Sequence, residues 1–185
     1  SGKSVRAAMV AAMANGMLHT GIMGQKDIWD SPAMILSQLN VALQPRLIRE
    51  MFTAMSLSIL QTAESRLVVS NAGMPYPIVK RGKEIRELKV NGMPLGLMDS
   101  VEYENLSIDL EVGDSVIFCF DGVDEAMNEV GEMYQAERLL EVIGQADTDI
   151  STQEMVDLIV KDVTQFVGGV EPSDDITIVV LLCKE

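Results

Sequence analysis

The sequence predicts an α+β fold built on antiparallel sheet, and three observations carry that expectation. Apolar residues recur at helical spacing at the front of the chain, from Val5 to about Met23 and from Ser31 to Leu43. From Met51 to Phe120 the period becomes that of strands, broken by polar and glycine turns and by no helical stretch. After Asp121 helical spacing returns, until a last apolar run, ITIVVLLCKE, closes the chain. Parallel strands need a crossover, usually a helix, between successive members. Consecutive hairpins of this kind therefore exclude a parallel α/β sheet.

Taken in order, VRAAMVAAMANGMLHTGIM has almost no charge, so the first helix is expected to be covered on more than one side. Ser31-Pro32 pairs a capping hydroxyl with a proline at the first helical position and opens the second helix, AMILSQLNVAL. MFTAMSLSILQ and RLVVSNAG then read as a hairpin joined by the polar TAES. PYPIVKRGKEIRELKV reads as another, turning at Arg81-Gly82, and YENLSIDLEVGDSVIFCF supplies further strands around Val112-Gly113-Asp114. The expected plan is a continuous meander, then helices over DEAMN, MYQAERLLEVIG and STQEMVDLIVKDVTQFVGG, then the closing strand.

Length and composition bound the function. The 185 residues suit a single domain over 1–185, and 48% apolar with 23% charged residues is the profile of a chain that folds. Acids outnumber Lys and Arg by 28 to 14, a net charge of −14, which repels nucleic acid and anionic membrane surfaces. Cys119 and Cys183 lie in apolar runs and read as reduced core thiols, and the methionines as core filler. No apolar stretch reaches the roughly 18 residues of a membrane span, and no leader pattern is seen, so no membrane insertion and a cytoplasmic location are expected.

The opening SGKSVRAAM places Gly2-Lys3-Ser4 before a helix, as at the end of a phosphate-binding loop. Such a loop leaves a strand of a parallel sheet, which the hairpin order excludes, so no nucleotide site is expected there. The acids are more telling. FCFDGVDEAMNE puts Asp121 at the end of an apolar strand, with Asp124 and Glu125 beyond it, and EPSDDITIVVLL puts Asp174 and Asp175 at the mouth of the last strand. Carboxylates held at adjacent strand ends repel one another unless a hard cation lies between them, and Mg²⁺ or Mn²⁺ fits such an oxygen-only set. Each acid could equally cap a turn or a helix.

Together, NAGMPYPIVKRG, GMPLGL, LEVGDSVIFCFDGVDEAMNEVGEMYQAERLLEVI and PSDDITIVVL resemble the SpoIIE/RsbU-type serine phosphatases of the metal-dependent PP2C-like superfamily. The similarity covers nearly the whole chain, and SGKSVRAAM then resembles the end of that family's first metal motif. The resemblance implies two antiparallel sheets face to face, flanked by helical layers, with the domain's first strands and first metal-binding aspartate lying upstream of Ser1. It implies a binuclear Mn²⁺ or Mg²⁺ centre directing a water at a phosphoserine or phosphothreonine. Asp121 and Asp174 would be ligands, with Asp175 as neighbour or alternative, and Gly2, Gly122, Asn71 and Gly73 would shape the site. The implied partner is a phosphorylated regulatory protein such as an anti-sigma-factor antagonist, and the family pattern has room for an upstream sensor domain and a homodimer.

The sequence departs from the pattern at Met74, where the family has histidine, at Phe120, where it has threonine, and at Ser4, where it has glycine. His19, the only histidine, falls within the first helix and reads as a packed or surface residue. Two functions follow: a metal-dependent protein phosphatase, or a catalytically silent phosphatase-like module that binds a regulatory partner without turning it over.

Overall fold

The computed structural model describes residues 5–24, 30–47, 51–170 and 174–184. In chain order the elements are α1 (Val5–Gly24), α2 (Pro32–Leu43), a 3₁₀ turn (Gln44–Arg46), β1 (Met55–Gln61), β2 (Arg66–Ala72), β3 (Ile78–Arg81) and β4 (Glu84–Glu87). They continue with β5 (Leu106–Asp109), β6 (Ser115–Cys119), α3 (Asp121–Asp124), α4 (Gln135–Gln145), α5 (Thr152–Val167) and β7 (Ile178–Leu182). The chain divides into two compact units, one of residues 1–74 and 90–109, the other of 75–89 and 110–185.

The first unit holds α1, α2 and a three-stranded antiparallel sheet in the order β1-β2-β5. Serine at the N-cap and proline at the first helical position start α2 as expected, and the Ser31 hydroxyl accepts from the Met34 N–H at 3.3 Å. A distant residue completes that cap: Asn105 accepts from the Ala33 N–H at 2.8 Å and donates to the Ser31 hydroxyl at 2.8 Å. Leu36, Leu39 and Leu43, spaced to share one face, pack with Ala14, Ala72 and Leu95 in this unit's core. Asn40 is buried among them because its amide donates to the Met98 carbonyl and accepts from the Gly96 N–H, leaving no unmet polar group in a dry place.

The second unit carries the antiparallel sheet β4-β3-β6-β7 with α3, α4 and α5. Its core joins Ile78 and Ile117 of the sheet to Leu139 and Ile143 of α4 and to Met155, Ile159, Val163 and Val167 of α5. The four α5 residues fall at intervals of four, which lays them along one stripe of the helix. A capping box starts α5: Ser151 accepts from the Glu154 N–H and the Glu154 carboxylate accepts from the Ser151 N–H at 3.0 Å. The Ser151 hydroxyl, which also donates to the Glu154 carboxylate at 2.6 Å, and after it the Ser151 N–H hold that carboxyl below its ordinary value.

The strands are where they were expected, but the continuous meander is not. β5 pairs with β2, whereas β3, β4 and β6 build the other sheet. The cause lies in residues 88–105, which form no strand and instead run close to other backbone. A Cβ at Gly92 would stand 1.7 Å from the Asn71 carbonyl oxygen, and Tyr103 donates to the Met93 carbonyl at 2.9 Å. β1 is also shorter than the MFTAMSLSILQ run, since Thr53 bridges to Leu95 rather than to β2. DEAMN is not a helix throughout either. After Asp124 the Asn128 side chain accepts from the Val130 and Glu132 N–H groups, and an antiparallel bridge joins Met127 to Met133. Asn here satisfies backbone donors that a helix would have used. Cys119 is buried and Cys183 half-buried, both as free thiols. Among the described residues no helix is long and apolar enough to cross a membrane.

Candidate metal centre

The antiparallel register of β6 and β7 pairs Cys119 with Ile178, and the Phe120 N–H donates to the Thr177 carbonyl at 3.2 Å, one step beyond the ladder. This brings the residues that leave β6 beside those that enter β7. Asp121 starts α3 there, and Asp174 and Asp175 lie on the facing approach. The two segments touch at Gly122. A Cβ at this position would stand 2.2 Å from the Asp175 carbonyl oxygen and 2.9 Å from its carbon, so only glycine lets α3 begin against that backbone. The close neighbour of Gly122 in the described structure is thus the Asp175 peptide.

The electrostatics are lopsided. From Asp121 to Glu137 the chain carries Asp121, Asp124, Glu125, Glu129, Glu132 and Glu137 and no Lys or Arg. Asp121, Asp174 and Asp175 are exposed, and Asp174 accepts from the Asp175 N–H at 2.9 Å. Asp124, one turn after Asp121, is half-buried, and its Oδ1 has no hydrogen-bond partner among the described residues. Burial, followed by the charges of Asp121, Glu87, Glu125 and Glu137, pushes this carboxyl up to about 6. It also contributes, after burial, to raising the Cys119 thiol to about 12. Asp124 is not among the ligands the resemblance implies; the i, i+3 spacing of D-G-V-D, which returns both carboxylates to one side of a helical turn, is the sequence signal for its place beside Asp121.

Asn71 and Gly73 lie in the first unit and build a tight turn. Asn71 is buried, accepts from the Met74 N–H at 3.0 Å and donates to the Met74 carbonyl at 2.7 Å, while Gly73 adopts φ +82° with Pro94 where a Cβ would be. Gly2, with Lys3 and Ser4, lies outside the described residues. Among the described residues no three His, Cys, Asp or Glu form a group that could hold a metal ion. A closed protein cage is therefore lacking there. Mg²⁺ and comparable hard ions, however, are commonly held by one or two carboxylates and keep several waters. The all-oxygen donor set, the missing cations and the unpartnered Asp124 oxygen suit that open kind of site.

Two antiparallel sheets with helices and strand-end acids define a PP2C-like α+β domain. Its fold is similar to the SiaA-PP2C domain of Pseudomonas aeruginosa, with a TM-score of 0.77 and 21% identity over 98% of this chain and 72% of that one. It is also similar to the Mn-presoaked phosphatase domain of the cell fate determinant SpoIIE from Bacillus subtilis, with a TM-score of 0.64 and 20% identity over 95% and 73%. The Mycobacterium tuberculosis serine/threonine phosphatase PstP/Ppp matches at a TM-score of 0.66 and 13% identity over 100% and 86%. Residues 1–184 match the family model of Stage II sporulation protein E (SpoIIE), and the chain belongs to that family. Stage II sporulation protein E of Bacillus subtilis (strain 168) is 25% identical over 146 residues, and that of Priestia megaterium 26% over 167. These alignments cover 79% and 89% of this chain but only 17% and 26% of those proteins, so the chain spans about a quarter of their length at most.

Proposed function

We propose that the chain is a metal-dependent protein serine/threonine phosphatase module whose substrate is a phosphorylated regulatory protein of the anti-sigma-factor-antagonist type. The observation that carries this reading is the β6–β7 junction, where Gly122 seats the start of α3 against the Asp175 backbone and so runs the segment of Asp121 beside that of Asp174 and Asp175. Family membership and the PP2C-like fold support it. Asp121 and Asp174, with Asp175 as neighbour or alternative, would hold Mn²⁺ or Mg²⁺. Such an ion, when bound, supplies Lewis acidity toward a phosphoryl oxygen and a water of lowered pKa. The protein's own part is positional: β6 and β7 fix the backbone from which the carboxylates project.

A second reading, a silent module that binds such a partner, is favoured by the lack of a three-residue metal group among the described residues and by Met74 in place of the family's histidine. Initial rates on p-nitrophenyl phosphate and a phosphoserine peptide, across Mn²⁺ concentrations, separate the two. The phosphatase reading expects Mn²⁺-dependent turnover that falls at least about 100-fold in Asp121→Asn, the scale on which transition-state charge stabilisation is lost. No turnover at any Mn²⁺ concentration, with retained binding of an unphosphorylated antagonist protein, would establish the silent module instead.

A further inference from the structure

Beside the strand-end acids, the second unit opens a groove of about 310 Å³, within the roughly 300–1,000 Å³ of small-molecule and side-chain pockets. Its walls are mostly apolar, with Met127 on one side, Val163 and Val167 of α5 on the other and Ile176 at the approach to β7, and Gly122 and Asp174 are also in the lining. The groove is therefore continuous with the residues proposed to hold the metal. One rim is the Met127–Met133 hairpin, which is braced rather than loose. Asn128 takes the Val130 and Glu132 N–H groups, and the Glu129 carboxylate accepts from the Gly169 N–H at 3.4 Å, just past the end of α5. At the hairpin tip Val130 is 79% exposed.

An apolar slot with Asp174 in its lining and the exposed Glu129 and Glu132 on its hairpin rim discriminates among occupants. A second copy of this chain brings −14 of like charge, and anionic lipid headgroups or nucleic acid are repelled likewise. A polypeptide segment with an apolar side chain and a neighbouring cation satisfies both features, since the aliphatic group leaves water while Lys or Arg meets Glu129 and Glu132 of the hairpin rim. We propose that this groove docks a large apolar side chain of the phosphoprotein substrate, from a segment that carries Lys or Arg next to it and the phosphoserine within a few residues. The inference rests on the phosphatase reading for the partner's being a phosphoprotein, and adds what flanks its phosphorylated residue.

The test compares two synthetic phosphoserine peptides of equal length, one with Leu and Lys beside the phosphoserine and one with Ala and Glu, alongside p-nitrophenyl phosphate, which has no flanking residues. With Mn²⁺ present, kcat/KM is expected to favour the Leu/Lys peptide by at least about tenfold, the discrimination a single aliphatic pocket supplies. Thr164, exposed on α5 and lining the groove, provides the variant: Thr164→Phe fills the slot and should bring the ratio between the peptides close to one. Met127→Ala, which opens a wall, should lower the ratio as well and serves if the larger side chain prevents folding. Turnover of p-nitrophenyl phosphate with equal kcat/KM for the two peptides would overturn the docking proposal and leave the phosphatase reading standing. A ratio that survives both variants would overturn it too. If nothing is turned over, fluorescence anisotropy of the labelled unphosphorylated peptides decides: selective binding of the Leu/Lys peptide, lost in Thr164→Phe, supports docking while the phosphatase reading fails, and equal binding overturns docking as well.

Discussion

The two ends of β6 treat a buried carboxylate in opposite ways. At its start Asp114 is 2% exposed and fully engaged. Arg81 grips it through Nε at 2.9 Å and Nη2 at 2.6 Å, and the Glu111 N–H donates to it at 2.9 Å. Past its other end Asp124 is half-buried with one oxygen unpartnered and acids as its charged neighbours. The first arrangement is what structure needs from a buried charge, namely a countercharge in bidentate geometry and satisfied lone pairs. The second leaves a desolvated, repelling group in place, which folding alone does not favour and which a cation-binding site does.

If that contrast is right, the largest loss of stability comes from the engaged end. Asp114→Ala strips Arg81 and the Glu111 N–H of their shared partner and should cost about 3 kcal/mol, read as a lower urea midpoint at unchanged m-value. Gly122→Ala comes next. Its Cβ would meet backbone rather than a yielding side chain, so α3 or the Asp175 segment must move, at about 2 kcal/mol, with loss of any Mn²⁺-supported turnover. Tyr134→Phe is a control away from both ends. It removes the 2.8 Å hydrogen bond to Asp162 but keeps the ring that meets Phe166 edge-on and lies under Arg138. It should cost about 1 kcal/mol, leaving the thermal midpoint only a few degrees lower.

The smallest effect has the opposite sign. Asp124 is raised from an ordinary 3.8 to about 6 on folding, so the folded state binds more protons than the unfolded state between those values. Stability from this group therefore falls as pH rises through that window, and the full penalty stands at pH 7. Asp124→Asn should thus be more stable than the parent at pH 7, by about 1 kcal/mol after allowance for solvent screening, with the difference shrinking toward pH 4. Urea unfolding of both proteins at pH 4, 5, 6 and 7 measures it.

How far the sequence disclosed this arrangement depended on the range of the interaction. The Ser31-Pro32 start of α2 and the Ser151–Glu154 box of α5 are local signals, and both are present. The strand periods located β1 to β7, because alternation records which residues face a core. Alternation says nothing of which strand is the neighbour, so the pairing of β5 with β2 instead of its sequence neighbours was not legible. The Asp-Gly at the end of β6 and the Asp-Asp before β7 are readable as a candidate site only through family resemblance. The contact of Gly122 with Asp175, the grip of Arg81 on Asp114 and the burial of Asp124 join residues distant in sequence or turn on packing, and no short motif encodes them.

Thermal unfolding with and without Mn²⁺, run on the parent chain and on Asp121→Asn, tests most directly whether the acids beyond β6 are kept for a cation. A ligand that binds the folded state raises the melting temperature in proportion to the logarithm of its excess over Kd. The parent should melt at progressively higher temperature as Mn²⁺ is raised, and Asp121→Asn should lose most of that rise. A melting temperature indifferent to Mn²⁺ in the parent, or an equal rise in both proteins, would contradict the account.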